Sequence, residues 1–131
     1  MKYLIDTHTF LWFVSGSFEL SNTAKDNIEN PMNQVFISIA SLWEISIKTS
    51  IGKLQIIGEY ETVIDDVTEN NISILPISFA HTVIQNKLPF YHKDPFDRII
   101  VAQTISEQMS FISCDEIFDA YLQTERVDRI W

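Results

Sequence analysis

The sequence predicts an α/β fold, a parallel β-sheet with helices on both faces. Three observations predict it. Short apolar runs alternate along the chain with segments of helical period. The chain has 131 residues, of which 46% are hydrophobic, enough for one domain over residues 1–131 with its own core. It contains only three glycines and four prolines, with no Ser/Gly-rich stretch, repeat or low-complexity segment to mark a linker.

The elements follow in order. "KYLI" is strand one, an apolar run that stops on Asp6. Apolar residues resume at Phe10, Leu11 and Trp12, so Asp6 either caps the Thr7–Phe13 segment or belongs to a site. "LSNTAKDNIEN" reads as a helix entered at Ser21 or Asn22 and stopped by Asn30-Pro31. "QVFISI" is strand two. "SLWEISIKTSI" is a helix with Leu42, Ile45 and Ile47 toward the core, ended by Gly52. "EYETVIDDVTEN" is a further helix, "ISILPI" strand three, and "FAHTVIQNKL" a helix after Ser78. "PFDRIIVAQTISEQM" is the longest helical pattern. "SFISC" is strand four, "EIFDAY" a short helix and "VDRIW" strand five.

Composition excludes several classes. No apolar run approaches the ~20 residues that span a bilayer. The N-terminus does not read as a secretion signal. Cys114 is the single cysteine, which excludes an internal disulfide and a CxxC pair. These features predict a cytosolic protein. The net charge of −9 is the reverse of the basic face usual in nucleic-acid binders. It fits a metal site, a basic protein partner or solubility alone.

Four carboxylates stand at places where they matter: Asp6, Glu44, Asp97 and Asp115. Asp6 ends strand one and Asp115 ends strand four, and ligands of such sheets bind at the carboxyl ends of strands. Each acid also has a local reading. Asp6 and Asp115 can cap the segments after them, Glu44 can close a capping box with Ser41, and Asp97 suits the first turn of its helix. Asp94 precedes Pro95 and reads as the cap of that helix. Clustered carboxylates repel unless a divalent cation bridges them, and hard oxygen ligands suit Mg²⁺ or Mn²⁺.

With "LIDTHTFLW", "SLWEISIKTSIGKL", "HKDPFDRIIVAQ" and "FISCDEIF" in this order, the chain resembles PIN domains from Lys2 to Trp131. Within them it is most similar to the VapC-type toxins of bacterial toxin–antitoxin pairs. The resemblance implies a PIN-like three-layer fold with strand order 3-2-1-4-5, which sets strands one and four side by side. It implies a metal-dependent ribonuclease with Asp6, Glu44, Asp97 and Asp115 as catalytic, metal-binding acids and Thr7 and Ser113 as supporting hydroxyls. Ser113-Cys114-Asp115 stands where family members often carry Thr-Arg-Asp, so the acid is kept and the arginine is not. Hydrolysis by metal-activated water would leave a 5′-phosphate and a 3′-hydroxyl.

An acidic enzyme needs a handle on RNA. Lys48 falls one turn after Glu44 and reaches the rim of the site. Lys93 and Arg98 are further candidate RNA contacts, with Lys53 and Lys87 nearby. No histidine is required as base, which leaves the roles of His8 and His92 open. Core packing is the first reading for most of Trp12, Phe13, Phe18, Phe90 and Tyr91. The resemblance also implies a groove for a cognate antitoxin and a homodimer face. Two rivals stand beside this reading. A non-catalytic PIN-like module would bind RNA or protein without cleavage. An aspartate phosphatase needs DxDxT after strand one, where the chain has "DTHTF". Neither GxGxxG nor a P-loop occurs, which disfavours nucleotide-cofactor folds.

Overall fold

The structure, a computed structural model, describes residues 1–131. Its sheet has five parallel strands: β1 (Lys2–Ile5), β2 (Gln34–Ser38), β3 (Ile72–Leu75), β4 (Ser110–Ile112) and β5 (Arg129–Ile130). Their order is β3-β2-β1-β4-β5, as the resemblance implied. In the centre, Ile5 lies opposite Ile37 of β2 and Ile112 of β4. Tyr3, Leu4 and Ile5 are all buried, which explains the unbroken apolar run of β1.

Side chains alternate across the strands and so feed two cores. Tyr3 and Ile5 pack on one face with Phe10, Ile37, Ile45 and Ile112. Leu4 packs on the other with Ile100, Val101, Phe111 and Phe118. The covering helices are α1 (Thr7–Ser15), α2 (Asn22–Glu29), α3 (Ile39–Ser50), α4 (Val63–Glu69), α5 (Phe79–Lys87), α6 (Pro95–Glu107) and α7 (Asp119–Leu122). No helix is long and apolar enough to cross a membrane.

Local chemistry sets the helix ends. Asp6 caps α1 by accepting the Thr9 N–H, and Gly16 closes it with a left-handed φ of 67°. Ser21 caps α2 and Ser78 caps α5, where His81 completes a capping box. Asp94 caps α6, accepting the N–H groups of Phe96 and Asp97, with Pro95 at the first helical position.

Several boundaries differ from the sequence reading. α3 begins at Ile39, capped by Ser38, so Ser41 and Glu44 lie inside the helix and form no capping box. Leu42 and Ile45 are buried as expected, but Ile47 is only half-buried. One-turn 3₁₀ segments, Tyr60–Thr62 and Glu116–Phe118, precede α4 and α7, where single helices were expected. β3 ends at Leu75 because Pro76 lacks the N–H to continue the ladder. β4 stops at Ile112, before Ser113 and Cys114, and β5 keeps only Arg129 and Ile130 of "VDRIW".

The Asp94 cap makes a quantitative expectation. Asp94→Ala removes the acceptor for two N–H groups of α6 and should cost about 1 kcal/mol of stability. Urea unfolding of the purified variant measures it. An unchanged midpoint would show that α6 does not need this cap.

Candidate active site

The parallel pairing of β1 with β4 brings their carboxyl ends together. The Asp6 N–H extends the ladder by donating to the Ile112 carbonyl at 3.2 Å. Asp6 Oδ1 accepts the Thr9 N–H at 2.8 Å. Its Oδ2 accepts a short hydrogen bond from Ser113 Oγ, the first residue beyond β4. Ser113 Oγ in turn accepts the Asp115 N–H at 3.1 Å. One serine hydroxyl thus ties Asp6 to the turn that carries Asp115. Asp115 Oδ1 caps that turn through the Ile117 N–H, while its side chain remains half-exposed.

Glu44 enters from α3 and is buried. Its Oε1 accepts from Thr7 Oγ1 at 2.7 Å. Thr7 has one hydroxyl proton, so at its 2.9 Å contact with Ser41 the serine is the donor. Glu44 Oε2 meets Lys48 Nζ at 2.6 Å. This hydrogen bond is the chief cause holding the Lys48 ammonium above its ordinary pKa.

Asp97 enters from the first turn of α6, where its own N–H is bound by Asp94. His92 Nε2 lies 3.0 Å from Asp97 Oδ2 and 4.0 Å from Asp115 Oδ2. Burial first, then the charges of Asp94, Glu44, Asp6 and Asp115, push the Asp97 carboxyl up to about 7. The other three predicted acids all act on Asp97, so the fold gathers the four from β1, α3, α6 and the end of β4. Burial also raises Asp6, against the opposing hydrogen bonds from Ser113 and Thr9.

This donor set fits a hard divalent cation: the groups are oxygens, several are desolvated, and their mutual repulsion calls for positive charge. No three His, Cys, Asp or Glu side chains stand as a ready-made coordination shell. Both Asp6 oxygens are engaged, and Lys48 already neutralises Glu44. Were Glu44 to hold a cation, the Lys48 ammonium would have to give way.

The other predicted residues divide. Thr7 and Ser113 each hold a carboxylate, Glu44 and Asp6 respectively. Lys48 is engaged with Glu44 rather than free on the rim. Lys93 is exposed beside His92 and makes no ion pair, as are Lys53 and Lys87 farther along the chain. Arg98 requires correction as an RNA contact. It is 3% exposed, and its guanidinium donates to the carbonyls of Gln85, Leu88, Pro89 and His92 while lying over Phe90. Those bonds fix the 88–92 loop and leave no face of the side chain for a phosphate. Phe90 and Tyr91 are exposed, as is Phe18, so these three are not core. His8 is exposed and packs beside Trp12 at 5.6 Å between ring centroids. The sequence reading took Ser41 only as a capping partner of Glu44, whereas its hydroxyl donates to Thr7. Its place three residues before Glu44, on one helix face, was the available signal.

The raised Asp97 carboxyl has a defined effect on stability. A carboxyl whose pKa is higher in the folded chain holds its proton more tightly there. Its stabilisation is full below the unfolded value of 3.8 and is lost as pH rises through about 7. In EDTA, Asp97→Asn should therefore gain stability relative to the parent across that window. The gain should reach a few kcal/mol, at about 1.4 kcal/mol per pKa unit. Urea unfolding of both proteins from pH 4 to pH 8 reads the difference, and a flat difference would refute the repulsive cluster.

The PIN domain family matches residues 3–121 of the chain. Among curated protein sequences none matches it. Solved structures of similar fold include the following three. VapBC2 from Rickettsia felis, bound to a DNA fragment from its promoter, is 14% identical with a TM-score of 0.66, covering 99% of this chain and 98% of that one. VapBC-1 from nontypeable Haemophilus influenzae is 15% identical with a TM-score of 0.65, covering 99% and 97%. FitAcB from Neisseria gonorrhoeae is 15% identical with a TM-score of 0.61, covering 98% and 96%.

Proposed function

We propose that this chain, which belongs to the PIN domain family, is over residues 1–131 a metal-dependent endoribonuclease and the toxin of a toxin–antitoxin pair. The observation that carries the reading is the convergence of Asp6, Glu44, Asp97 and Asp115 at the carboxyl ends of β1 and β4, where burial and then the neighbouring charges of Asp94, Glu44, Asp6 and Asp115 raise Asp97. Asp6, Glu44, Asp97 and Asp115 would hold Mg²⁺ or Mn²⁺. Such a cation, when bound, supplies Lewis acidity at the phosphodiester and lowers the pKa of the attacking water.

The chain's own residues prepare that chemistry. Thr7 fixes Glu44 Oε1, and Ser113 fixes Asp6 Oδ2, which limits how far either carboxylate can turn away from the site. Lys48 neutralises Glu44, and one turn along α3 its ammonium would be placed to meet a phosphate if a cation took over that charge. Lys93, exposed beside the site, is the remaining candidate RNA contact. Lys93→Ala should weaken RNA binding and lower its salt slope by about 1.

A toxin–antitoxin complex from Klebsiella pneumoniae has a similar fold, 20% identical with a TM-score of 0.61 and covering 90% of each chain, which supports a cognate antitoxin as partner; a cytoplasmic setting belongs to the same proposal. Leu11, Trp12 and Val14 of α1 line a groove with Ile56 and Ile57, and Ile57 is fully exposed. This groove suits an apolar antitoxin segment. The exposed Phe18, Phe79 and Phe90 support a homodimer, which light scattering across a concentration range tests independently of the nuclease.

The deciding experiment is cleavage of a mixed RNA pool by the purified chain in Mg²⁺ or Mn²⁺. EDTA and Asp97→Asn should each abolish cleavage, and the products should carry 5′-phosphates. The Lys48 ammonium lodged on Glu44 favours one second reading, a non-catalytic PIN-like binding module. RNA bound but uncut in both metals selects that reading and defeats the nuclease.

A further inference from the structure

His92 is the one group in contact with the acids that the nuclease reading does not use. Its surroundings fix it on every side. The backbone N–H donates to Tyr121 Oη at 2.8 Å, and the carbonyl accepts from Arg98. The ring stacks on Phe118, with 14° between planes and 5.8 Å between centroids. Phe118 is itself buried against Phe111 of the central sheet. Nδ1 accepts the Asp94 N–H at 3.1 Å.

That last bond decides the tautomer. In a neutral imidazole one nitrogen accepts and the other carries the hydrogen. With Nδ1 accepting, Nε2 carries it and donates to Asp97 Oδ2, 3.0 Å away. A nitrogen in that state has no lone pair for a cation. His92 therefore holds an acid in place and is not itself a ligand. Asp115 Oδ2, 4.0 Å from the same nitrogen, lies just beyond hydrogen-bond reach on the same side.

We infer that His92 is a positioning residue: its Nε2–H fixes Asp97 Oδ2 for cation binding, and the imidazole itself is not a ligand. The inference rests on the metal reading above. It also gives Arg98 and Tyr121 a purpose, because both tie down the backbone that carries His92. Partners that orient a metal-binding group in this way are worth roughly 10–100-fold in metal affinity.

Two substitutions separate positioning from local structure. The Asn side-chain oxygen reaches the position of Nδ1 and can still accept the Asp94 N–H, but it cannot reach Asp97. The Gln amide reaches the position of Nε2 and can still donate. Calorimetric titration of the full chain with Mn²⁺ should show His92→Asn weakened roughly 10–100-fold. His92→Gln should recover most of that loss, and both should melt close to the parent. Nitrogen-15 NMR of the parent should show the Nε2–H form with and without Mg²⁺. Parent-like Mn²⁺ affinity in a folded His92→Asn overturns the inference. So does loss of the Nε2 hydrogen when Mg²⁺ is added, which would make His92 a ligand. Absence of Mn²⁺ binding by the parent itself is a distinct result that removes the metal reading along with this one.

Discussion

The side-by-side pairing of β1 with β4 is the constraint on which the rest depends. Neither strand exceeds four residues, yet their register is fixed by Leu4 opposite Phe111 and Ile5 opposite Ile112. A slip of one residue would turn Tyr3 and Ile5 out of one core and Leu4 out of the other. The same register carries the Asp6 N–H to the Ile112 carbonyl and leaves Asp6 and Ser113 adjacent at the end of the ladder. The acids from α3 and α6 then arrive because both helices lie over the sheet that this pairing centres.

A cluster of carboxylates at such a place works against the fold. The protein offsets the cost acid by acid, with a different device for each. Asp6 receives two hydrogen bonds from the backbone and a serine. Glu44 receives a threonine hydroxyl and an ammonium. Asp97 receives an imidazole N–H, yet burial first, and then the charges of Asp94, Glu44, Asp6 and Asp115, lift its carboxyl to about 7. Asp115 stays half-exposed and is solvated instead. The net charge of −9 is thus not spread evenly in its effect: the acids that repel one another most are those at the sheet edge.

Arg98 shows how a charge can serve the site without touching it. Its guanidinium gathers four carbonyls of the 85–92 segment, and Tyr121 adds a hydroxyl bond to Pro89 and accepts the His92 N–H. A loop of this length over a helix end would otherwise expose unsatisfied carbonyls. Held in this way, it presents His92 to Asp97 and leaves Lys93 pointing to solvent.

The strand-helix alternation, the two-faced burial of β1 and the caps at Asp6, Ser21, Ser78 and Asp94 were legible in the sequence, because each depends on residues within one turn or one strand. Asp6, Asp97 and Asp115 were legible as acids near element ends, whereas Glu44 stands inside α3 and was legible as an acid within an apolar helical run. The cap of α3 was misplaced from Ser38 to Ser41, since two serines fit the local pattern and only the end of β2 chooses between them. Arg98 was misread, because sequence gives a charge but not its burial. The tautomer of His92, the Lys48 ammonium on Glu44 and the rise of Asp97 were not legible at all. By itself the sequence determined the elements and the supply of carboxylates, which follow from short-range periodicity and capping. Tertiary structure alone decided which charges face one another, because electrostatic coupling depends on distances between segments that the chain order leaves free.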